Sequence, residues 1–215
     1  MIDKKYILFD LDGTLTNPYE GITKSVQHAL SHFGIEEKQE NLKMFIGPPL
    51  AYSFSTFYGF DKEKTKEAIR KYRERFSVKG IHENEIIEGI PQLLKELKDN
   101  GKHLILATSK PIEFASQIVE NFELSQYFVL LAGSTFSGER NTKAKVIAYA
   151  LEKAGVKDLS QAIMIGDREH DIIGAKENGI ESIGVLFGFG SWEEFKKAGA
   201  EYICETVDDL KKLLL

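Results

Sequence analysis

Cysteine is nearly absent from this 215-residue chain. Cys204 stands alone, so no internal disulfide can form, and the usage fits a reducing compartment. No Arg follows six residues later in "YICETVDDL", so the loop of a cysteine phosphatase is missing and the expected role of Cys204 is packing. Long apolar runs are missing too. Tyr6 to Phe9 is too short for the apolar stretch of a signal peptide, and nothing approaches the ~20 apolar residues that span a bilayer. The expectation is a cytoplasmic protein without a membrane partner. Positive charge is not in excess: 28 Lys and Arg against 33 Asp and Glu leave a formal net charge of -5. That argues against nucleic acid as a partner but leaves room for an anionic small molecule, since a pocket can be locally positive.

Two nucleotide loops are incomplete. "GSTFSGER" (Gly133 to Arg140) has Walker A glycine spacing, but Glu139 replaces the lysine such a loop needs. "GFGSWE" (Gly188 to Glu193) has two of the three glycines of a dinucleotide fingerprint. Trp192 is expected to pack under a helix start with Ser191 as its N-cap. His28 and His32 lie four apart, but "HALSH" contains no Glu and is flanked by the apolar Val26, Leu30 and Phe33. That pair reads as part of an ordinary helix rather than a metal site.

What is present is ordinary globular composition, 42% hydrophobic and 28% charged, enough for a large domain with a small satellite. One arrangement recurs: an amphipathic helical pattern, then Gly, then an aliphatic run. "IPQLLKELKDNG" precedes "KHLILAT", "VIAYALEKAG" precedes "AIMIGD", and "DIIGAKENG" precedes "IESIGVL". Gly101, Gly155 and Gly179 suit the left-handed position that ends a helix. Strands such as "YILFD", "LILAT" and "AIMIG" are apolar throughout, as strands buried on both faces should be. The alternation predicts an α/β fold with a doubly wound parallel sheet. Residues 17–84 break the pattern, with Ile22, Val26, Leu30 and Phe33 at helical spacing and no strand of similar quality. The predicted division is a Rossmann-like core of residues 1–16 and 85–215 and an inserted all-helical domain of residues 17–84.

In open α/β sheets, ligands bind beyond the carboxyl ends of the strands. Asp10 and Asp12 follow "YILF", Thr108 and Ser109 follow "LILA", and Asp167 follows "AIMIG", with Asp171 four residues on. Four acids at one edge repel unless a cation sits among them, and hard oxygen ligands point to Mg²⁺. A carboxylate can attack phosphorus, and a second acid can give and take the proton.

"DLDGTLT" (Asp10 to Thr16), "LILATS" (Leu104 to Ser109), a later lysine and "GDREHD" (Gly166 to Asp171) resemble the four motifs of the haloacid dehalogenase superfamily, in order and spacing. The helical insertion is similar to the cap of phosphoglycolate-phosphatase-like members. The resemblance implies a phosphoric monoester hydrolase acting on a small phosphorylated metabolite such as phosphoglycolate or a nucleoside monophosphate. A sugar-phosphate mutase of the β-phosphoglucomutase type is the alternative. It implies Asp10 as nucleophile and Asp12 as general acid/base. Mg²⁺ would be held by Asp10, the backbone carbonyl of Asp12, and Asp167, with Asp171 nearby or through water. Gly13, Thr108, Ser109 and the lysine would face the substrate. Thr108 matches the phosphate-binding hydroxyl, and Ser109 stands where many such members have Asn. "RNTKAKVIAYAL" offers Lys143 or Lys145 as the lysine; Lys143, nearer the strand-to-helix loop, is favoured. Either a monomer or a homodimer is compatible.

Overall fold

A computed structural model describes residues 2–215. The first apolar run becomes strand β1 (Tyr6–Phe9), whose Ile7, Leu8 and Phe9 are fully buried. A two-residue strand, β2 (Thr16–Asn17), leads into helices α1 (Tyr19–Ser31), α2 (Leu50–Tyr58) and α3 (Lys62–Phe76). After a second short strand, β3 (Glu85–Ile86), come α4 (Ile90–Asp99), β4 (His103–Pro111), α5 (Ile112–Asn121) and β5 (Phe128–Ser134). The chain finishes with α6 (Lys143–Lys153), β6 (Ala162–Gly166), α7 (Glu169–Glu177), β7 (Glu181–Val185), α8 (Trp192–Ala198), β8 (Tyr202–Cys204) and α9 (Val207–Leu214). The stretch up to Thr16 joins Ile86–Leu215 in one compact unit, and Asn17–Glu85 forms another.

The larger unit is built on a six-stranded sheet in the order β5-β4-β1-β6-β7-β8, with every neighbouring pair parallel. Strand residues alternate between its faces. Leu8, Ile105, Ala107, Ala132 and Met164 share a cluster with Val146, Ile147, Ala150 and Leu151 of α6 and Ala175 of α7. The intervening residues Ile7, Phe9, Leu104, Leu106, Ile163 and Ile165 are as fully buried on the other face. Helices α4 and α5 pack on the sheet with stripes of Leu93, Leu94 and Leu97 and of Ala115, Ile118 and Val119. Truncating a residue in such a layer, for example Leu8→Ala, typically costs ~2–5 kcal/mol. The glycines after α4, α6 and α7 do adopt the left-handed conformation: Gly101, Gly155 and Gly179 have φ of 75°, 66° and 68°.

The smaller unit is helical between its two terminal strand residues. Ile22, Val26 and Leu30 form the buried stripe of α1, and α3 is capped by Asp61, whose side chain accepts the Lys64 N–H at 2.8 Å. Its centre is aromatic: Phe45 and Phe54 meet edge to face, and Phe54 stacks on Phe60. Among the described residues, no helix is long and apolar enough to cross a membrane.

Strand order places the site. From β1 the chain moves to β4 and β5 on one side, then jumps back to β6, β7 and β8 on the other, so the winding reverses beside β1. The carboxyl ends of β4, β1 and β6 lie side by side at that switch point, the place where open α/β sheets bind ligands.

Candidate active site

Past Phe9 the chain leaves the sheet in a tight loop: Leu15 and Thr16 donate N–H bonds to Leu11 O, and Gly13 N donates to Thr16 O at 2.7 Å. Gly13 has φ of 82°, a left-handed conformation that glycine adopts without strain. Its missing side chain matters as much. A Cβ there would lie 2.0 Å from Asp167 Oδ2, and a Cβ at Gly188 would lie 2.4 Å from Asp167 Cβ. Gly190 likewise abuts the Asp167 carbonyl, and Gly166 leaves the space that the Asp171 carboxylate fills. Backbone rather than side chains thus walls two of the acids.

Oxygens of Asp10, Asp167 and Asp171 all lie within 4.8 Å of one another, and all three residues are buried. Lys143 bridges two of them, with Nζ at 2.7 Å from both Asp10 Oδ1 and Asp171 Oδ1. It also donates to Ala107 O at 3.0 Å, which ties the ends of β1 and β4 to the start of α7. Lys143 opens α6, capped by Thr142, and a cation in a first turn opposes the helix dipole. Burial also disfavours its charge, yet the Asp10 and Asp171 carboxylates outweigh it and raise the ammonium pKa above the ordinary lysine value. Lys145 instead reaches Asn141 and is exposed.

The Asp12 carboxylate lies outside that triplet. Its Oδ2 pairs with Lys110 Nζ at 2.7 Å, both side chains being buried, and Oδ1 accepts no hydrogen bond. Burial raises the Asp12 pKa against the pull of Lys110. Thr108 is buried on β4 and its hydroxyl accepts the Lys110 N–H at 3.2 Å; Ser109, beside it, has a buried hydroxyl without a partner.

Asp167 is the acid without an ion-pair partner among the described residues. Oδ2 accepts the Phe189 N–H at 2.9 Å and Oδ1 accepts nothing. Burial first, then the Asp171 and Asp10 charges, pushes its pKa well above the carboxylate range. Asp171 is raised to about 6 by burial and Asp10, in spite of Lys143. Four buried acids against two buried lysines leave two negative charges in excess when all are ionised. Hard oxygen donors, an unpartnered buried carboxylate oxygen and that excess fit a divalent cation.

Residues 7–185 match the family described as haloacid dehalogenase-like hydrolase. The chain belongs to this family. The hydrolase is 45% identical over 209 residues to a 5′-nucleotidase of Pseudomonas aeruginosa, covering 97% of this chain and 94% of that one. It is 36% identical over 212 residues to the tyrosine-protein kinase PtkA of Mycobacterium tuberculosis, covering 97% of this chain and 72% of the relative. A crystal structure of a predicted phosphatase from Clostridium acetobutylicum superposes with a TM-score of 0.96 at 51% identity, covering 99% of this chain and 98% of that one.

The structure adds to the hydrolase site two features that sequence reasoning passed over. One is Lys110, two residues past Thr108 on β4. The other is the loop Gly188–Gly190, which wraps Asp167 and supplies the Phe189 N–H. Two glycines around an aromatic residue were the available signal for that loop. Ser191 caps α8 as expected, accepting the Glu194 N–H, but Trp192 does not pack beneath the helix start. It is 46% exposed, with Lys196 Nζ 5.2 Å from its ring centroid. Position N1 of this short helix points outward, and a cation–π contact covers the ring instead.

Proposed function

We propose that this hydrolase is a Mg²⁺-dependent phosphatase of small phosphomonoesters that works through an aspartyl-phosphate on Asp10. The observation that carries it is the division of four buried acids: Lys143 bridges Asp10 and Asp171, Lys110 holds Asp12, and Asp167 has no ion-pair partner among the described residues. In this reading Asp10, Asp167 and Asp171, with the Asp12 backbone carbonyl, would hold the ion. Bound there, Mg²⁺ supplies positive charge against the oxygens of the transferring phosphoryl group.

The protein's own groups divide the remaining work. Asp10 attacks phosphorus while the bond to the leaving oxygen breaks, and Asp12 gives that oxygen a proton. Asp12 then takes a proton from water as the water attacks phosphorus and frees Asp10. Lys143, 2.7 Å from Asp10 Oδ1, keeps that carboxylate aimed. Thr108 and Ser109, on the adjacent strand, bind phosphate oxygens together with the backbone near Gly13. The helical unit, Asn17–Glu85, serves as the cap that selects the leaving group. The relative named 5′-nucleotidase favours a nucleoside 5′-monophosphate as substrate.

The test is phosphate release from p-nitrophenyl phosphate and a panel of nucleoside monophosphates, phosphoglycolate and sugar phosphates, with Mg²⁺ or with chelator. Release with Mg²⁺, lost in chelator and in Asp10→Asn, is expected. Release by Asp10→Asn at the wild-type rate would sink the mechanism, and isomerisation of a sugar phosphate without net release would make the chain a mutase.

A further inference from the structure

The ion pair of Lys110 with Asp12 is built with unusual care for a strand end. β4 runs on through Pro111, but its register against β5 slips between Thr108 and Pro111, leaving Ser109 and Lys110 in the irregular stretch. Such bulges re-aim side chains beside functional sites. Three features pin this one. Lys110 N–H is bound to Thr108 Oγ1 at 3.2 Å, and the next residue, Pro111, has a fixed φ. Across the ladder stands Gly133, where a Cβ would lie 2.8 Å from Lys110 O and 3.0 Å from Ile112 Cα. Side chains 5% and 11% exposed then meet at 2.7 Å. A buried lysine loses its hydration, and a polar turn would have served as well to end the strand.

An acid that both donates and accepts a proton needs one oxygen fixed and the other open. Asp12 has that arrangement: Oδ2 is held by Lys110, and Oδ1 is buried without a partner. We propose that Lys110 is the positioning residue for proton transfer, holding Asp12 by Oδ2 so that Oδ1 faces the leaving oxygen and then the attacking water. The proposal rests on the reading of Asp12 as the general acid/base. The proton on Oδ1 passes to the leaving oxygen as its bond to phosphorus breaks and the Asp10–phosphorus bond forms. In the second half, water gives a proton back to Oδ1 as it displaces Asp10.

A residue acting through the general acid should matter most where the leaving group needs protonation. The experiment measures kcat/KM for Lys110→Met, Lys110→Gln and Lys110→Arg on p-nitrophenyl phosphate, which releases a weakly basic phenolate, and on an alkyl phosphate monoester. General acid/base catalysis is typically worth about 10²–10⁴-fold. Expected for Lys110→Met is a loss of about 10²-fold on the alkyl ester and under about 5-fold on the aryl ester. Lys110→Arg should restore most of the alkyl activity, and Lys110→Gln, which keeps a donor, gives a second neutral variant if Met impairs folding. Circular dichroism and thermal melting check the fold. Equal losses on both esters, the pattern of a structural or phosphate-binding lysine, would overturn the proposal, as would unchanged activity.

Asp12→Asn separates this from failure of the parent reading. It should reproduce the leaving-group dependence, and adding Lys110→Met should cost little more, because groups acting in series are not additive. Multiplying losses in the double variant would show that Lys110 acts without Asp12. An Asp12→Asn enzyme that hydrolyses the alkyl ester normally, or a wild-type chain that releases no phosphate, would overturn both readings at once.

Discussion

The two units of this hydrolase use the same kinds of charged residue in opposite ways. On the helical unit, Glu63, Glu67 and Glu74 pair with Lys66, Arg70 and Lys71 one turn apart along α3, all at least partly exposed. Neighbours such as Lys24 and Glu20 repeat the pattern on α1. Water screens these pairs, and each is worth little. At the edge of the sheet, Asp10, Asp12, Asp167, Asp171, Lys110 and Lys143 are all buried. There each charge has lost its hydration, and removing one partner strands the other. Pairing on α3 is incidental to the fold; pairing at the sheet edge holds desolvated charges together at the proposed site.

Substitutions on both sides put that contrast at risk. The largest effect belongs to Asp10→Asn: phosphate release should fall by roughly 10⁶-fold, the scale of losing a covalent nucleophile, while the circular dichroism spectrum stays the same. Lys143→Met comes next. It leaves Asp10 and Asp171 facing each other without their shared cation, and should lower unfolding stability in chelator by about 3–5 kcal/mol as well as abolish turnover. Urea denaturation at pH 7.5 reads the first effect; a midpoint equal to that of wild type would mean that the pair is not coupled as the 2.7 Å contacts indicate.

Asp167→Asn should move stability the other way. Asp171 has a folded pKa of about 6, against an ordinary 3.8, and Asp167 lies well above that ordinary value too. A carboxyl raised in the folded state contributes stability that is complete below its unfolded pKa and is lost as pH rises through the folded one. In chelator, this cluster should therefore lower the melting midpoint between about pH 4 and pH 7. Asp167→Asn should relieve part of that loss, by roughly 2–4 °C for each kcal/mol in a chain of this size. Mg²⁺ should raise the wild-type midpoint at pH 7.5 but not that of the variant. A wild-type midpoint at pH 7.5 that ignores the ion would refute its binding there. Smallest of all, Glu67→Gln on α3 should leave turnover and melting midpoint within measurement error, since its partner Arg70 also meets Glu74 in open solvent.

Much of this was legible from residue order. Asp10, Thr108 and Asp167 fall at the ends of apolar runs, and a parallel sheet brings such ends together whatever the details of packing. Lys143 and Lys145 were harder to separate, because both lie in one helical turn. Only the direction of α6 decides that Lys143 points into the acids while Lys145 reaches back to Asn141. Lys110 left no trace in the sequence. A lysine after a strand is ordinarily solvated, and the slip of register that turns this one inward depends on Gly133, more than twenty residues away. Trp192 failed for a related reason, since its composition says buried and only the rotation of a short helix says otherwise.

The glycines around Asp167 carry a consequence for divergence. A cavity lined by side chains can be reshaped one substitution at a time, but the wall formed by Gly13, Gly188 and Gly190 is main chain, and a single added methyl at any of them collides. The seat of the acid is in effect cast rather than assembled. Descendants of this chain that acquire new substrates must keep that casting, so change should accumulate away from these three glycines while the mould stays fixed.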